Sequence, residues 1–190
     1  MGAGIAQASA VAGYRVILYD VTDDLLSQSL AGICRSIDKG VARGKIEMAA
    51  ADAAKLAIQP TTSLETAAQV DLVIEAAPEK LALKRELFAT LDAAAPKRTI
   101  FGSNTSSLSI NALAGAVQRA DRFLGIHFFN PAHIMKLVEL IRAEATSEET
   151  ITAVQTYVAS LGKTAVLCKD TPAFIVNRVA RPFYGEAFRL

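Results

Sequence analysis

Short, nearly unbroken apolar runs alternate with stretches of helical spacing along most of this chain. Residues 14–19 (YRVILY), 71–76 (DLVIEA), 99–103 (TIFGS), 122–128, 136–141 and 164–168 are too short for core helices, and each predicts a strand. The near-continuous apolarity of DLVIEA is what a strand covered on both faces of a parallel sheet requires. Residues 58–61 repeat the signal more weakly. Between these runs, Leu25, Leu26, Leu30, Ile33 and Ile37 recur at helical spacing over 22–42, with Thr22 or Asp23 able to cap the start. Residues 48–57 continue in helix-forming side chains, so the two segments predict a helical hairpin turning near Gly44. Further helices are predicted over 80–93, 109–115 and 148–161, the last stopped by Gly162. The alanine-rich segment 2–13 also reads as a helix, and no strand comes before it.

Strands alternating with helices imply an α/β fold with a mainly parallel sheet and helices on both faces, a doubly wound arrangement. Such a fold begins on a strand, so the expectation is of a sheet lacking its first strand, in a chain truncated at its N-terminus. At the other end, residues 173–190 predict a long helix containing Pro182. Its wide apolar face of Phe174, Ile175, Val179, Phe183 and Phe188 needs a surface to pack on. The expected boundary lies at 170–172, giving a sheet domain over 1–170 and the start of a separate helical domain over 171–190.

A chain of 190 residues with 52% hydrophobic content can close one substantial core. Its 20 basic and 19 acidic residues leave a formal charge of +1, too little to draw nucleic acid or an anionic membrane, so a small-molecule partner is favoured. No apolar run approaches the ~20 residues of a membrane span. No basic segment with an apolar run and a cleavage site opens the chain, and Cys34 and Cys168 do not resemble a disulfide framework; the cytoplasm is the expected compartment. Neither cysteine has a CxxC partner or a nearby His, and both read as structural thiols.

Candidate chemistry gathers at strand ends. Gly2, Gly4 and Gly13, with Asp20 eighteen residues after Gly2, fit the third glycine, the helix and the ribose carboxylate of a G-x-G-x-x-G dinucleotide site whose first two glycines would precede Met1. Asp20 also fits a plain cap for the helix beginning near Thr22. If Asp20 holds the ribose, NAD is preferred over NADP, because no Arg or Lys lies between Val21 and Ser27 to receive a 2′-phosphate. Of the two histidines, His127 ends a predicted strand, where ligands meet parallel sheets, and an imidazole exchanges protons near neutrality. A hydrogen-bonded core histidine is the competing reading. Glu139 sits in the apolar strand 137–140, where a lone carboxylate is costly to bury without a partner; strands joined by the 130–135 loop can set it against His127. An edge carboxylate facing water is the alternative.

Four stretches, MGAGIA (1–6), SNTSSL (103–108), GIHFFNPAHIMKLVE (125–139) and DTPAFIVNR (170–178), resemble in order and spacing the motifs of the L-3-hydroxyacyl-CoA dehydrogenases. The resemblance runs through the whole chain, and the combination of HFFNP with MKLVE is highly specific. It implies a Rossmann-type domain that binds NAD, an acyl-CoA substrate, and a homodimer for the full-length protein. It implies His127 as the base that takes the 3-hydroxyl proton, Glu139 as the group that orients and stabilises that imidazole, and Ser106 and Asn177 as further catalytic contacts. It also implies Gly2, Asp20, Ala76, Glu79, Lys84 and Ser106 beside the cofactor. Read by themselves, Ser106 and Asn177 are ordinary polar or capping residues, and Glu79 suits the first turn of a helix. His133 matches no catalytic position and reads as a loop residue near the substrate, while Lys39 and Arg43 could meet the CoA phosphates but read rather as a solvated, charged face. The segment 177–187 (NRVARPFYGEA) looks most like bacterial members that serve phenylacetate breakdown on 3-hydroxyadipyl-CoA. Two other readings compete: a non-catalytic nucleotide-binding remnant of this fold, and a 2-hydroxyacid or sugar-phosphate dehydrogenase with a lysine base, which lacks HFFNP. Truncation predicts weak NAD binding by the chain as it stands.

Overall fold

The structure, a computed structural model, describes residues 1–189. In chain order the elements are α1 (Gly2–Val11), β1 (Val16–Tyr19), α2 (Asp23–Ala42), α3 (Met48–Leu56), β2 (Ile58–Thr61), α4 (Leu64–Ala68), β3 (Leu72–Glu75), α5 (Leu81–Ala94), β4 (Ile100–Ser103), α6 (Ile110–Ala114), β5 (Phe123–Phe128), β6 (Leu137–Arg142), α7 (Glu148–Ser160), β7 (Thr164–Lys169) and α8 (Val176–Ala187). Four of the helices start on hydroxyl caps. Thr22 rather than Asp23 accepts the amide of Leu25 at α2, and Ser63, Ser109 and Ser147 do the same for α4, α6 and α7. At five residues α4 is too short to show a period in sequence; its cap is the only local mark. Gly44 (φ 65°) turns the α2–α3 hairpin and Gly162 (φ 67°) ends α7, both in the left-handed region that costs glycine nothing.

Among the described residues, seven strands form two sheets. β1 and β2 pair in parallel as a two-stranded unit, and β3-β4-β5-β6-β7 form a five-stranded sheet; no ladder among these residues joins the two. Within the larger sheet β3, β4 and β5 run parallel, β6 returns antiparallel to β5, and β7 is parallel to β6. Helices cover both of its faces. On one, Phe88 and Leu91 of α5 and Ile110 and Leu113 of α6 pack on Phe101, Phe123 and Ile141; on the other, Ile5, Val154 and Val158 pack on Leu124, Ile126, Val138 and Leu140. The alternation along β5 assigns its even residues to the second face and leaves His127 on the first. Helix α1 ties the sheets together, since Ile5 joins the second-face core while Ala6 and Ala10 pack with Ile33 and Ile37 of α2, Ala51 and Ala54 of α3, and Ile58.

The C-terminal helix departs from the sequence expectation. It starts at Val176, not at 173, because Ala173 (φ 64°) and Phe174 (φ 52°) are left-handed and Phe174 is drawn into the first-face core. Ile175, Val179, Phe183 and Phe188 remain exposed. Residue 190, the last of the predicted helix, lies outside the described residues.

Candidate active site

The antiparallel return of β6 sets His127 directly opposite Glu139. Residues opposed in this way project from the same face with Cβ atoms close together, which lets the two side chains meet. Imidazole Nδ1 lies 2.8 Å from Glu139 Oε2, with His127 4% exposed and Glu139 fully buried. A carboxylate only accepts, so Nδ1 is the donor in this bond, and in the neutral ring Nε2 is left to present its lone pair. Ser106 Oγ stands 3.1 Å from Nε2 and can donate to it. Phe129 and Phe174 flank the ring at 4.7 and 5.7 Å. The second oxygen of Glu139 accepts the amides of Ile175 (3.0 Å) and Val176 (2.8 Å), so the buried carboxylate has three donors. Asn177 follows directly as the second residue of α8.

The turn after β4 brings Ser106 to this pair, and Glu79 holds the turn. Its Oε1 accepts from Thr105 Oγ1, from the amides of Ser106 (3.0 Å) and Ser107 (3.2 Å), and from Ser107 Oγ (3.1 Å). Asn104 Oδ1 accepts the amide of Phe128 at 2.8 Å and ties the same turn to the end of β5. Below the Glu79 loop lies a second buried charge cluster. Lys84 is 1% exposed; its Nζ donates to Glu75 Oε1 at 2.6 Å and to the Ala77 carbonyl at 3.0 Å, and lies 3.4 Å from Glu79 Oε2. Glu75 also accepts from Ser103 Oγ at 2.7 Å and from the Ala77 amide at 2.5 Å. Lys84 is therefore packed beneath the loop rather than open at its surface.

Burial pushes the Glu79 carboxyl up, but its bonds from Thr105, Ser106 and Ser107 and the nearby Lys84 ammonium outweigh that and hold it below its ordinary value. A depressed carboxyl contributes stability that is complete above the unfolded value and is lost as pH falls through the folded one. Acid titration below pH 4.5 is thus expected to loosen the Ser106 turn before the rest of the fold. The check is the amide shifts of Ser106 and Ser107 against pH, which should lose their acid step in Glu79→Gln; a step that survives in the variant belongs to another group. Burial, then the charges of Glu139 and Asp170, push the Cys168 thiol up to about 11. It stays protonated at neutral pH, as a structural thiol does.

The family model for the 3-hydroxyacyl-CoA dehydrogenase NAD-binding domain matches residues 1–171. The chain belongs to that family. It is 43% identical to 3-hydroxyadipyl-CoA dehydrogenase of Escherichia coli K12, covering 100% of this chain and 40% of that protein. It is 48% identical to human mitochondrial hydroxyacyl-coenzyme A dehydrogenase, covering 100% of this chain and 62% of the relative. The crystal structure of Escherichia coli K12 3-hydroxybutyryl-CoA dehydrogenase superposes with a TM-score of 0.97 at 43% identity, over 100% of this chain and 40% of that one. That of (S)-3-hydroxybutyryl-CoA dehydrogenase from Ralstonia eutropha gives 0.96 at 41%, over 99% and 66%. The chain spans less than two thirds of the length of these relatives.

The matched family model is that of an NAD-binding domain, so the cofactor is NAD, and the residues present fit part of a dinucleotide site. Met1 and Gly4 of the α1 start face Asn130, Pro131, Ala132 and His133 across a cleft of about 160 Å³. A side chain at Gly4 would come within 3.3 Å of Ala132 Cβ, so Gly4 keeps that wall thin, whereas one at Gly2 would meet Ala76 Cβ at an ordinary 3.8 Å. The opening amides of a ten-residue helix have no partner within it and suit phosphate oxygens. Thr22 caps α2, and the Asp20 carboxylate at the end of β1 accepts, among the described residues, only the neighbouring Val21 amide at 2.8 Å. His133 is exposed on the cleft wall, and Lys39 and Arg43 are exposed on the helical hairpin.

Several residues of this architecture escaped the sequence reading. Glu75 carries the same signal as Glu139, a lone carboxylate in an apolar strand, and could have been singled out on that ground. Asn104 and Thr105 stand inside the SNTSSL motif without a distinguishing pattern. The Ile175 and Val176 amides have no sequence mark at all, since any residue supplies them.

Proposed function

We propose that this chain is the nicotinamide-binding, proton-transferring part of an oxidoreductase that interconverts (S)-3-hydroxyacyl-CoA and 3-oxoacyl-CoA. The single observation that carries the reading is the buried His127–Glu139 pair with Nε2 turned toward Ser106. NAD, when bound, supplies the hydride acceptor in the oxidation direction. His127 Nε2 takes the proton of the 3-hydroxyl as the C3 hydride departs and the carbonyl forms; in reduction it returns that proton. Glu139 stabilises the imidazolium that forms, a charge that a 96% buried ring could not otherwise hold cheaply. Ser106 and Asn177 hold the substrate oxygen. Asp20 is assigned to the ribose, Gly2 to the pyrophosphate turn, and Ala76 and Glu79 to the ribose or nicotinamide end of the cofactor, with Lys84 acting through Glu79.

Residues 1–170 are assigned to the NAD-binding domain and 171–190 to the start of a helical one. The exposed Val179 and Phe183 of α8, with Phe188 just after it, support a surface that pairs two copies of the full-length enzyme. Unpaired Cys34 and Cys168 support a reducing, cytoplasmic compartment. For the finer substrate, the resemblance of residues 177–187 favours 3-hydroxyadipyl-CoA in phenylacetate breakdown. The test follows NADH absorbance in the intact enzyme, with acetoacetyl-CoA in reduction and 3-hydroxyadipyl-CoA in oxidation. Turnover of both supports the class, and a higher kcat/KM for the dicarboxylic substrate supports the finer assignment. No turnover of either by folded enzyme overturns the proposal and leaves the non-catalytic reading.

A further inference from the structure

Glu139 is engaged on both oxygens, and only one of them faces His127. The other accepts the amides of Ile175 and Val176, the last residue before α8 and its first. Those amides point at the carboxylate because the chain just before them runs left-handed through Ala173 and Phe174. Neither is glycine, and L-residues resist this conformation, so two in succession persist only where surrounding contacts impose them. Such contacts are present. Phe174 is 2% exposed in the first-face core, its ring T-shaped to that of His127; its amide donates to the Thr171 carbonyl at 3.0 Å, and the Arg178 amide donates to the Ala173 carbonyl at 3.1 Å. A plain connection between a strand and a helix needs none of this.

We propose that the 171–176 turn is a positioning element for the base, with Ala173 and Phe174 as its positioning residues. A carboxylate free to rotate about its last torsion can offer either oxygen, or neither, to the imidazole. With Oε1 held by two amides, Oε2 is the fixed acceptor for Nδ1–H, and His127 is kept in the tautomer that presents the Nε2 lone pair. The orientation of the proton acceptor is thereby tied to the start of α8, and a movement of that helix reaches the imidazole through two hydrogen bonds. Naming the pair catalytic rests on the function proposed above; the positioning itself does not.

The experiment is NMR of the folded chain, independent of turnover. The chain has only two histidines, and exposed His133 supplies a solvent-averaged reference beside His127. Long-range ¹H–¹⁵N spectra are expected to show His127 protonated on Nδ1 alone, and the Ile175 and Val176 amides protected from exchange. Ala173→Val, whose β-branched side chain opposes the left-handed region, is expected to move His127 to a mixed tautomer and to speed exchange of both amides at least about tenfold. Ala173→Gly, which accepts that region, is expected to keep both signals. A folded Ala173→Val chain with tautomer and exchange unchanged overturns the proposal. So does free exchange of the two amides in the unsubstituted chain, a measurement that decides the matter even if Ala173→Val fails to fold. If positioning holds while His127→Gln leaves turnover of the intact enzyme undiminished, the catalytic reading fails and the positioning stands.

Discussion

Replacement of Glu139 by Gln is expected to lower kcat about as far as replacement of His127 by Gln, by roughly 10²- to 10⁴-fold. The two losses have different causes. His127→Gln removes the proton acceptor outright. Glu139→Gln keeps size and shape but converts one accepting oxygen into a donor, and all three partners of the native carboxylate are donors: His127 Nδ1–H, Ile175 N–H and Val176 N–H. If the amide NH₂ faces α8, it opposes two backbone donors. If it faces the imidazole, the ring must give up its Nδ1 proton, and Nε2 then carries hydrogen and cannot act as a base. Either orientation leaves a buried polar conflict of about 1–3 kcal/mol. The measurement is steady-state kinetics in both directions, with the expected loss in kcat rather than in KM for NAD, because Glu139 is turned away from the cleft. A Glu139→Gln enzyme within tenfold of the parent would show that the carboxylate's charge and second oxygen are dispensable.

Glu75→Leu is expected to cost about 3–5 kcal/mol of stability, because it strands a buried ammonium. In a chain of this length that is roughly 10 °C in Tm. Lys84 would keep the Ala77 carbonyl and the longer contact to Glu79, and neither replaces a 2.6 Å ion pair closed off from water. The double variant Glu75→Leu with Lys84→Met removes both charges together and is expected to recover at least half of the loss. Urea unfolding of the four proteins provides the cycle. A single-variant cost under about 1 kcal/mol, the level of a surface pair, would mean that water reaches the cluster. The double variant also separates stability from cofactor support. If Lys84 acts through Glu79, the repaired fold should still bind NAD more weakly, because the loop from Ala76 to Glu79 has lost its anchor.

The candidate site was legible in sequence to the extent that its chemistry violates local pattern. Glu139 inside an apolar strand demanded a partner, and His127 at a strand end was placed to provide one; the structure puts them 2.8 Å apart. Lys84 resisted such reading, since a lysine in an amphipathic helix looks like any solvated charge, yet its side chain is almost wholly enclosed. The early part of residues 173–190 was misread for a related reason. Apolar spacing there satisfied a helix, but the pull of Phe174 into the core and of Glu139 on two amides turned the backbone left-handed before α8 could begin.

What the sequence determined by itself was the kind of the longer elements, the cap region of α2 and the need of Glu139 for a buried partner, because these depend on residues within a few positions of one another or on the cost of one charge among apolar neighbours. Tertiary structure alone decided the antiparallel return of β6, the register that opposes His127 to Glu139, the enclosure of Lys84 and the left-handed turn at α8. Each of these is settled by contact between segments far apart in the chain, and a local pattern carries no term for the partner it will meet.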